Sequence, residues 1–123
     1  MYKVFFYRDK NGDSQIEAYI QELSAKNTKD SRIKLSKIYE HIKYLSETGP
    51  QAKEPYVKHL DGEIFELRPI RDRILFAAWD GESFILLHRF MKKTQKTPQR
   101  EIDQAKRNLA DHKERSSDDE QDN

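Results

Sequence analysis

Two arginines and one histidine stand in short segments rich in β-branched and aromatic residues: Arg68, Arg73 and His88. Arginine holds phosphate oxygens through charge-assisted hydrogen bonds, and histidine transfers protons as an acid or a base. RNA scission needs these two functions, because the substrate's own 2′-hydroxyl attacks phosphorus once a base has removed its proton. We therefore take these three side chains as the candidate catalytic residues.

A basic segment follows the histidine directly. Residues 83–100 contain no acidic residue but hold Arg89, Lys92, Lys93, Lys96 and Arg100. Such a patch attracts a polyanion, with an affinity that falls steeply with salt. We expect Lys92, Lys93 and Lys96 to bind RNA, with Phe90 as an aromatic on which a base stacks. The alternative is an ordinary solvated surface.

The net charge of +1 conceals an uneven distribution along the chain. The last eight residues hold four of the 22 acidic residues and no basic one, so 23 basic residues face 18 acidic ones in the remainder. The chain before this acidic end therefore carries a net charge of +5, which favours a partner that is a polyanion.

Several kinds of chemistry find no support in the residues. The chain has no cysteine, and its Asp, Glu and His residues show no metal-ligand spacing. Glycine-rich phosphate loops and nucleophile motifs are also missing. We expect neither a cofactor nor a metal. The start of the chain does not read as a secretory signal, and no apolar stretch approaches about 18 residues, so we expect a cytoplasmic protein with no membrane partner.

Hydrophobic periodicity and turn residues predict an α+β domain. One N-terminal strand precedes two antiparallel helices, a three-stranded antiparallel meander and a C-terminal helix. The predicted boundaries are a strand at Tyr2–Tyr7, helices from Ser14 and after Thr28, a loop at Gln51–Gly62, strands at Glu63–Arg68, Arg73–Trp79 and Ser83–Phe90, and a helix from Thr97. We expect the helices on one face of the sheet, with the other face partly open. The domain is predicted at residues 1–112, with an acidic disordered tail at 113–123.

The hairpin turn sets which side chains meet. If Asp80-Gly81 forms a two-residue loop, Trp79 pairs with Glu82, and the same register places Arg73 opposite His88. Directly opposed residues point to the same side of a sheet. A slip of one residue would send one strand's side chains to the opposite face.

A loop at Pro69–Asp72 places Arg68 opposite Arg73 on the preceding strand. Arg68, Arg73 and His88 then form one rung across three strands. Like charges that face each other cost up to about 1 kcal/mol, so two opposed arginines favour a bound anion. Two purely structural alternatives stay open. In the first, the arginines form ion pairs with Glu63, Glu66 or Asp72. In the second, His88 is a histidine at a strand end beside Phe90 whose hydrogen bonds are all satisfied.

The sequence resembles a known family over almost its whole length up to His112. The most specific match is His-x-Phe-x-Lys-Lys-Thr-x-Lys-Thr-Pro at residues 88–98. Further matching segments are Glu63–Arg68, Arg73–Phe76, Leu86–Pro98 and Glu101–Ala105. These segments are similar to the phage-derived, HigB-like branch of the RelE/ParE toxin-antitoxin superfamily. The predicted order of strands and helices is also similar to the RelE-like fold.

The resemblance implies a ribosome-dependent mRNA endonuclease that inhibits translation. It implies a cognate antitoxin with a helix-turn-helix domain as partner, and contact with operator DNA only through that antitoxin. Arg68 and Arg73 match sheet arginines that hold the phosphate. Arg89 departs from the family pattern, because related sequences often have a small residue there, and the acidic tail also looks additional.

Two other functions remain open at this point. A gyrase-poisoning toxin of the ParE type shares the fold but lacks the basic, histidine-bearing site. A non-enzymatic module that binds RNA or the ribosome would depend on the lysines but not on His88.

Overall fold

The computed structural model describes residues 1–121. Its strands are β1 (Lys3–Phe6), β2 (Val57–Asp61), β3 (Ile64–Leu67), β4 (Asp72–Trp79) and β5 (Ser83–Met91). Its α-helices are α1 (Gln15–Ala25), α2 (Lys29–Thr48) and α3 (Gln99–Gln121), and a short 3₁₀ turn follows α2 at Gly49–Gln51. None of these helices is long and apolar enough to cross a membrane.

The five strands form one sheet in the order β1-β5-β4-β3-β2. Strand β1 lies parallel to β5, and the other neighbours are antiparallel. The α+β class and the order of the predicted elements are confirmed. One element was missed, because β2 lies in the segment Gln51–Gly62 that was predicted as a loop. Pro55 precedes this edge strand without interrupting it, and the buried Val57 fixes its inner face.

Both N-terminal helices begin at a polar cap. The Ser14 hydroxyl accepts a hydrogen bond from the Glu17 backbone N–H, and the Thr28 hydroxyl accepts one from the Ser31 backbone N–H in the same way. Gly49 ends α2 with φ of +68°, and the Tyr2 ring fills the space that a side chain there would need. These signals explain why the first half of the fold followed from the sequence.

The helices pack on both faces of the sheet, so the prediction of a partly open face was wrong. One core lies between α1, α2 and the sheet and includes Ile20, Ile38 and Leu86. The second lies beneath α3, where Ile102 and Leu109 are buried against the other face. The apolar residues of α3 are therefore part of the core. This packing supplies most of the stability of the helix.

Helix α3 also differs from its expected limits. It begins at Gln99, and the Pro98 carbonyl accepts the first helical hydrogen bonds, so Thr97 is not its N-cap. It continues beyond residue 112 as far as Gln121. The separate acidic tail at 113–123 stays a prediction, and residues 122 and 123 lie outside the described residues.

The register between β4 and β5 departs from the prediction twice. Trp79 pairs with Ser83, so the hairpin loop has three residues instead of two. The Ser83 hydroxyl closes this wider loop by donating to the Trp79 carbonyl and to the Asp80 carboxylate. Farther along, the pairing shifts between Leu75 and Phe76, because a β-bulge adds one residue to β5.

The two shifts together move β5 by two residues relative to the expected register. Arg73 therefore pairs with Phe90, and His88 pairs with Leu75, so the predicted rung of Arg73 and His88 is wrong. Because side chains alternate with a period of two, a shift of two residues returns His88 to the face that the prediction gave it. Either shift alone would have turned the imidazole toward α1 and α2.

A buried charged cluster joins α1 to the sheet. Arg89 lies 3.2 Å from the Asp72 carboxylate, and its guanidinium carbon lies 3.6 Å from the centroid of the Tyr19 ring. The Tyr19 hydroxyl donates to the same carboxylate at 2.9 Å. Burial, aided by this hydrogen bond, raises the pKa of Tyr19 to about 12. Arg89 thus points toward α1, where it pairs with Asp72 and stacks on Tyr19, and away from the sheet face that carries Arg68, Arg73 and His88.

We expect Asp72→Ala to destabilise the fold strongly. The Asp72 side chain is 3% exposed, and its removal leaves the partly buried Arg89 charge, which is 18% exposed, without this counter-ion. The expected loss in free energy of unfolding is about 3–5 kcal/mol, measured by urea denaturation.

The control is Asp30→Ala, which removes an exposed carboxylate from an ion pair with Lys34 on α2. This change should cost about 0.5 kcal/mol or less. Equal losses for the two variants would contradict the structural role of the cluster.

Candidate functional site

A buried carboxylate, Glu66, lies at the centre of the candidate site. Glu66 points from β3 toward the face that α3 covers, and it is 2% exposed. One of its oxygens lies 3.8 Å from Nε of Arg68 and 3.9 Å from Nε of Arg73. These distances are those of ion pairs and exceed the range of good hydrogen bonds. The two arginines therefore have a carboxylate between them, as in the alternative in which they form ion pairs with Glu66.

The two arginines occupy the positions that the sequence suggested. Leu67 pairs with Ile74, and the same register continued by one residue places Arg68 opposite Arg73. Arg73 donates from one guanidinium nitrogen to the Ile70 and Asp72 carbonyl oxygens, at 2.9 and 2.8 Å. These bonds hold the guanidinium in one orientation, as a phosphate site requires.

The electrostatic environment differs between the two arginines. The pKa of Arg73 is lowered, mainly by burial. The Glu66 carboxylate opposes this shift, and the Arg68 charge adds to it. The Arg73 side chain is 7% exposed, whereas that of Arg68 is 30% exposed. Arg68 is consequently the more accessible of the two arginines.

The lysine segment, residues 92–97, covers this carboxylate and both arginines. Its first residue is held to the sheet, because the Lys92 backbone N–H donates to the Arg71 carbonyl at 2.7 Å. Its last residue is held by the Thr97 hydroxyl, which donates to Glu66 at 2.6 Å. Lys92, Lys93 and Lys96 line the same small pocket as Arg68, Arg73 and Phe90. Six of the seven predicted site residues are thereby brought together.

His88 is the predicted residue that does not line this pocket. It lies on the same face one rung away, and its Nε2 is 3.4 Å from a carboxylate oxygen of Glu101 on α3. Its Nδ1 lies 3.1 Å from the side-chain oxygen of Gln15. The imidazole stacks on the Phe90 ring with a centroid separation of 6.2 Å. The Phe90 ring therefore lies between His88 and the basic pocket, and the alternative of a satisfied histidine is compatible with these contacts.

Glu66 and Thr97 were not among the predicted site residues. Glu66 entered as one of three possible partners for the arginines, and Thr97 entered as a helix cap. A possible signal for Glu66 was its position two residues before Arg68 on one strand, since residues at that spacing share a face. No local signal predicts that the Thr97 hydroxyl reaches Glu66, because the two residues are distant in sequence.

The arrangement suits an anion better than a metal ion. Six cationic side chains line this pocket with one buried carboxylate, namely the five predicted ones and Lys58 of β2, so a phosphate group would meet an excess of positive charge. Among residues 1–121, no group of three or more His, Asp or Glu side chains is placed to hold a metal ion. The site can hold a phosphate and stabilise charge that develops on it.

We expect Thr97→Val to destabilise the protein and loosen the lysine segment. The substitution keeps the shape of the side chain but leaves the buried Glu66 oxygen without its 2.6 Å donor. The free energy of unfolding should fall by about 1–3 kcal/mol in urea titrations. Backbone amides of residues 92–97 should also exchange faster with solvent.

Thr94→Val is the matched control, because the Thr94 hydroxyl donates only within the exposed segment, to the Lys96 carbonyl. Its expected cost is within about 0.5 kcal/mol. If Thr97→Val behaves like this control, the contact between Thr97 and Glu66 does not hold the segment in place.

Comparison with known proteins identifies the family. Residues 18–110 match the family described as phage derived protein Gp49-like (DUF891). A search of curated proteins gave no match. The matched range includes α2, the four strands β2–β5, the lysine segment and the first half of α3, and so contains the whole candidate site. The chain belongs to the phage-derived Gp49-like family, which is a family of toxin-antitoxin toxins within the RelE/ParE-like superfamily.

Proposed function

We propose that this protein is a HigB-like toxin that cleaves mRNA on the ribosome without a metal ion. The observation that carries the proposal is the basic pocket, in which Arg68, Arg73 and four lysines lie around one buried carboxylate. Membership of the toxin family supplies the biological setting. The pocket supplies the chemical argument, because scission of RNA by its own 2′-hydroxyl needs stabilisation of a negatively charged phosphate.

The phosphate enters from the side of Arg68. The pocket encloses only about 10 Å³ of free space, which is roughly the room that one water molecule needs. A phosphodiester therefore binds at the mouth of this pocket, where Arg68 is already accessible at 30% exposure. Lys93 and Lys96 lie on the exposed part of the segment and attract the RNA backbone.

Two groups are candidates for the proton transfers. A base accepts the proton of the 2′-hydroxyl while the bond from that oxygen to phosphorus forms. The bond from phosphorus to the 5′ oxygen then breaks, and an acid returns a proton to the leaving oxygen. Glu66 is the carboxylate nearest the arginines, and His88 is the imidazole one rung away. We assign proton transfer to His88, because imidazole is the side chain that most often acts as a general acid or base, and the Glu101 carboxylate 3.4 Å away orients this one.

The first test is expression in bacteria followed by primer extension on an abundant message. We expect wild-type protein to arrest growth and to produce discrete new 5′ ends that depend on translation. In cells that express Arg68→Gln, the amount of these new 5′ ends should fall by about two orders of magnitude or more, because one donor to the charged phosphate is missing. The control Arg32→Gln alters an exposed arginine on α2 that bonds only to Asn27.

Growth arrest with intact messages would contradict the nuclease proposal and would favour a gyrase-poisoning or purely ribosome-binding toxin. In that case DNA breaks trapped with gyrase, or sedimentation of the protein with ribosomes, would separate the two alternatives.

The second test assigns the proton-transfer group through His88→Ala and Glu66→Gln. Loss of general acid-base catalysis lowers the cleavage rate by about 10²- to 10⁴-fold. We expect His88→Ala to show this loss with ribosome binding intact, since the imidazole is not part of the lysine segment. The double variant with Lys92→Ala and Lys93→Ala should weaken ribosome binding itself.

A result in which Glu66→Gln abolishes cleavage while His88→Ala retains it would transfer the role to Glu66. Circular dichroism spectra of both variants serve as the folding control, because Glu66 is also a buried ion-pair partner.

The family implies an antitoxin partner. We propose that this antitoxin carries a helix-turn-helix domain, that it brings the complex to operator DNA, and that the toxin acts in the cytoplasm on translating ribosomes. Co-expression of such an antitoxin should restore growth to cells that express the wild-type toxin.

A further inference from the structure

A second, larger cleft opens on the other side of His88 from the basic pocket. It has a volume of about 440 Å³ and lies between the end of β1, the start of α1 and the middle of α3. Its lining includes Tyr7, Asp13, Gln15, His88, Gln104 and Asn108. Of these side chains, only His88 has a proposed role in RNA cleavage.

We propose that this cleft binds the nucleobase of a nucleotide next to the cleaved phosphate, and that it selects bases that carry an exocyclic amino group. The inference rests on the proposed function, since it names a subsite for the same substrate. It gives the toxin a source of sequence preference that the basic pocket does not supply, because contacts to phosphate carry no sequence information.

The position of the cleft relative to the basic pocket supports this assignment. The stacked rings of His88 and Phe90 separate the two, with an interplanar angle of 28°. Phe90 lines the basic pocket, and His88 lines the cleft. An RNA strand that places its phosphate at Arg68 can therefore place an adjacent base across these rings. Single-stranded RNA is commonly read through bases that are splayed out in this way.

The charge of the cleft is opposite to that of the basic pocket. Asp9 and Asp13 both line it, and the Asp13 side chain is exposed. Among the described residues, no hydrogen bond or ion pair is formed by the Asp13 carboxylate. A carboxylate repels phosphate but accepts hydrogen bonds from N–H groups. The cleft therefore favours the edge of a base that donates, which is the edge bearing an amino group.

The amide side chains in the cleft are already held in one orientation. Asn108 donates to the Leu87 carbonyl at 2.8 Å, and Gln104 donates to the Asn108 side-chain oxygen at 2.9 Å. Each amide group has a second N–H that these bonds leave available. Gln15 is fixed in a similar way by the backbone N–H and carbonyl of Arg89. A preorganised site of this kind loses little entropy when a ligand binds.

The experiment compares ribosome-bound messages that differ by a single amino group beside the cleaved bond. The pairs are guanosine against inosine and adenosine against purine riboside. We expect wild-type protein to cleave at least one amino-bearing message about tenfold faster than its partner. Asp13→Asn should lower this ratio severalfold, because a charged group with two acceptor oxygens is replaced by a neutral amide with one.

The matched control is Asp30→Asn, which makes the same chemical change at the start of α2 and should leave the ratio as in wild type. A ratio near one in wild-type protein, or a ratio that Asp13→Asn does not change, would overturn the proposed base site.

A binding measurement separates failure of the base site from failure of the nuclease proposal. Guanosine monophosphate should shift the side-chain amide NMR signals of Gln104 and Asn108 in wild-type protein, and the shifts should weaken in Asp13→Asn. Shifts without cleavage of any message would retain the base site and reject the nuclease. Cleavage without shifts and without discrimination would reject the base site alone.

Discussion

The buried carboxylate of Glu66 is the interaction on which the candidate site depends. A charge that is 2% exposed requires compensation, and Arg68, Arg73 and the Thr97 hydroxyl together provide it. The same contacts hold two arginines in place, fasten the lysine segment to the sheet and fix the entry to α3. Stability and function therefore have a common origin here, since the groups that neutralise Glu66 are those proposed to bind phosphate.

Two small irregularities of the sheet determine where His88 lies. The three-residue hairpin loop and the β-bulge in β5 each shift the register by one residue. Together they keep the imidazole on the α3 face and turn Arg89 toward Tyr19 and Asp72. Because of the bulge, Leu87 and His88 both face α3, whereas Arg89, the next residue, faces α1 and pairs with Asp72.

The sequence predicted those features that depend on local chemistry. The cap at Ser14, the hydrophobic periodicity and the turn residues were sufficient for the order of elements, and the loop at Pro69–Asp72 was sufficient to place Arg68 opposite Arg73. Features that depend on distant contacts were missed: the edge strand β2, the packing of α3 and the bond from Thr97 to Glu66. The exact register was also missed, because Ser83 favours a longer loop through side-chain bonds that the turn motif does not encode.

The most direct test of the central claim is the chemistry of the cut ends. Purified protein, a programmed ribosome and a short message should yield a 2′,3′-cyclic phosphate on the upstream fragment and a 5′-hydroxyl on the downstream one, as mass spectrometry would show. A message with a single 2′-deoxy nucleotide at the cleaved position should resist cleavage, because the attacking hydroxyl is missing. Cleavage of that deoxy message, or fragments with 5′-phosphate ends, would contradict attack by the 2′-hydroxyl and the role assigned to the basic pocket.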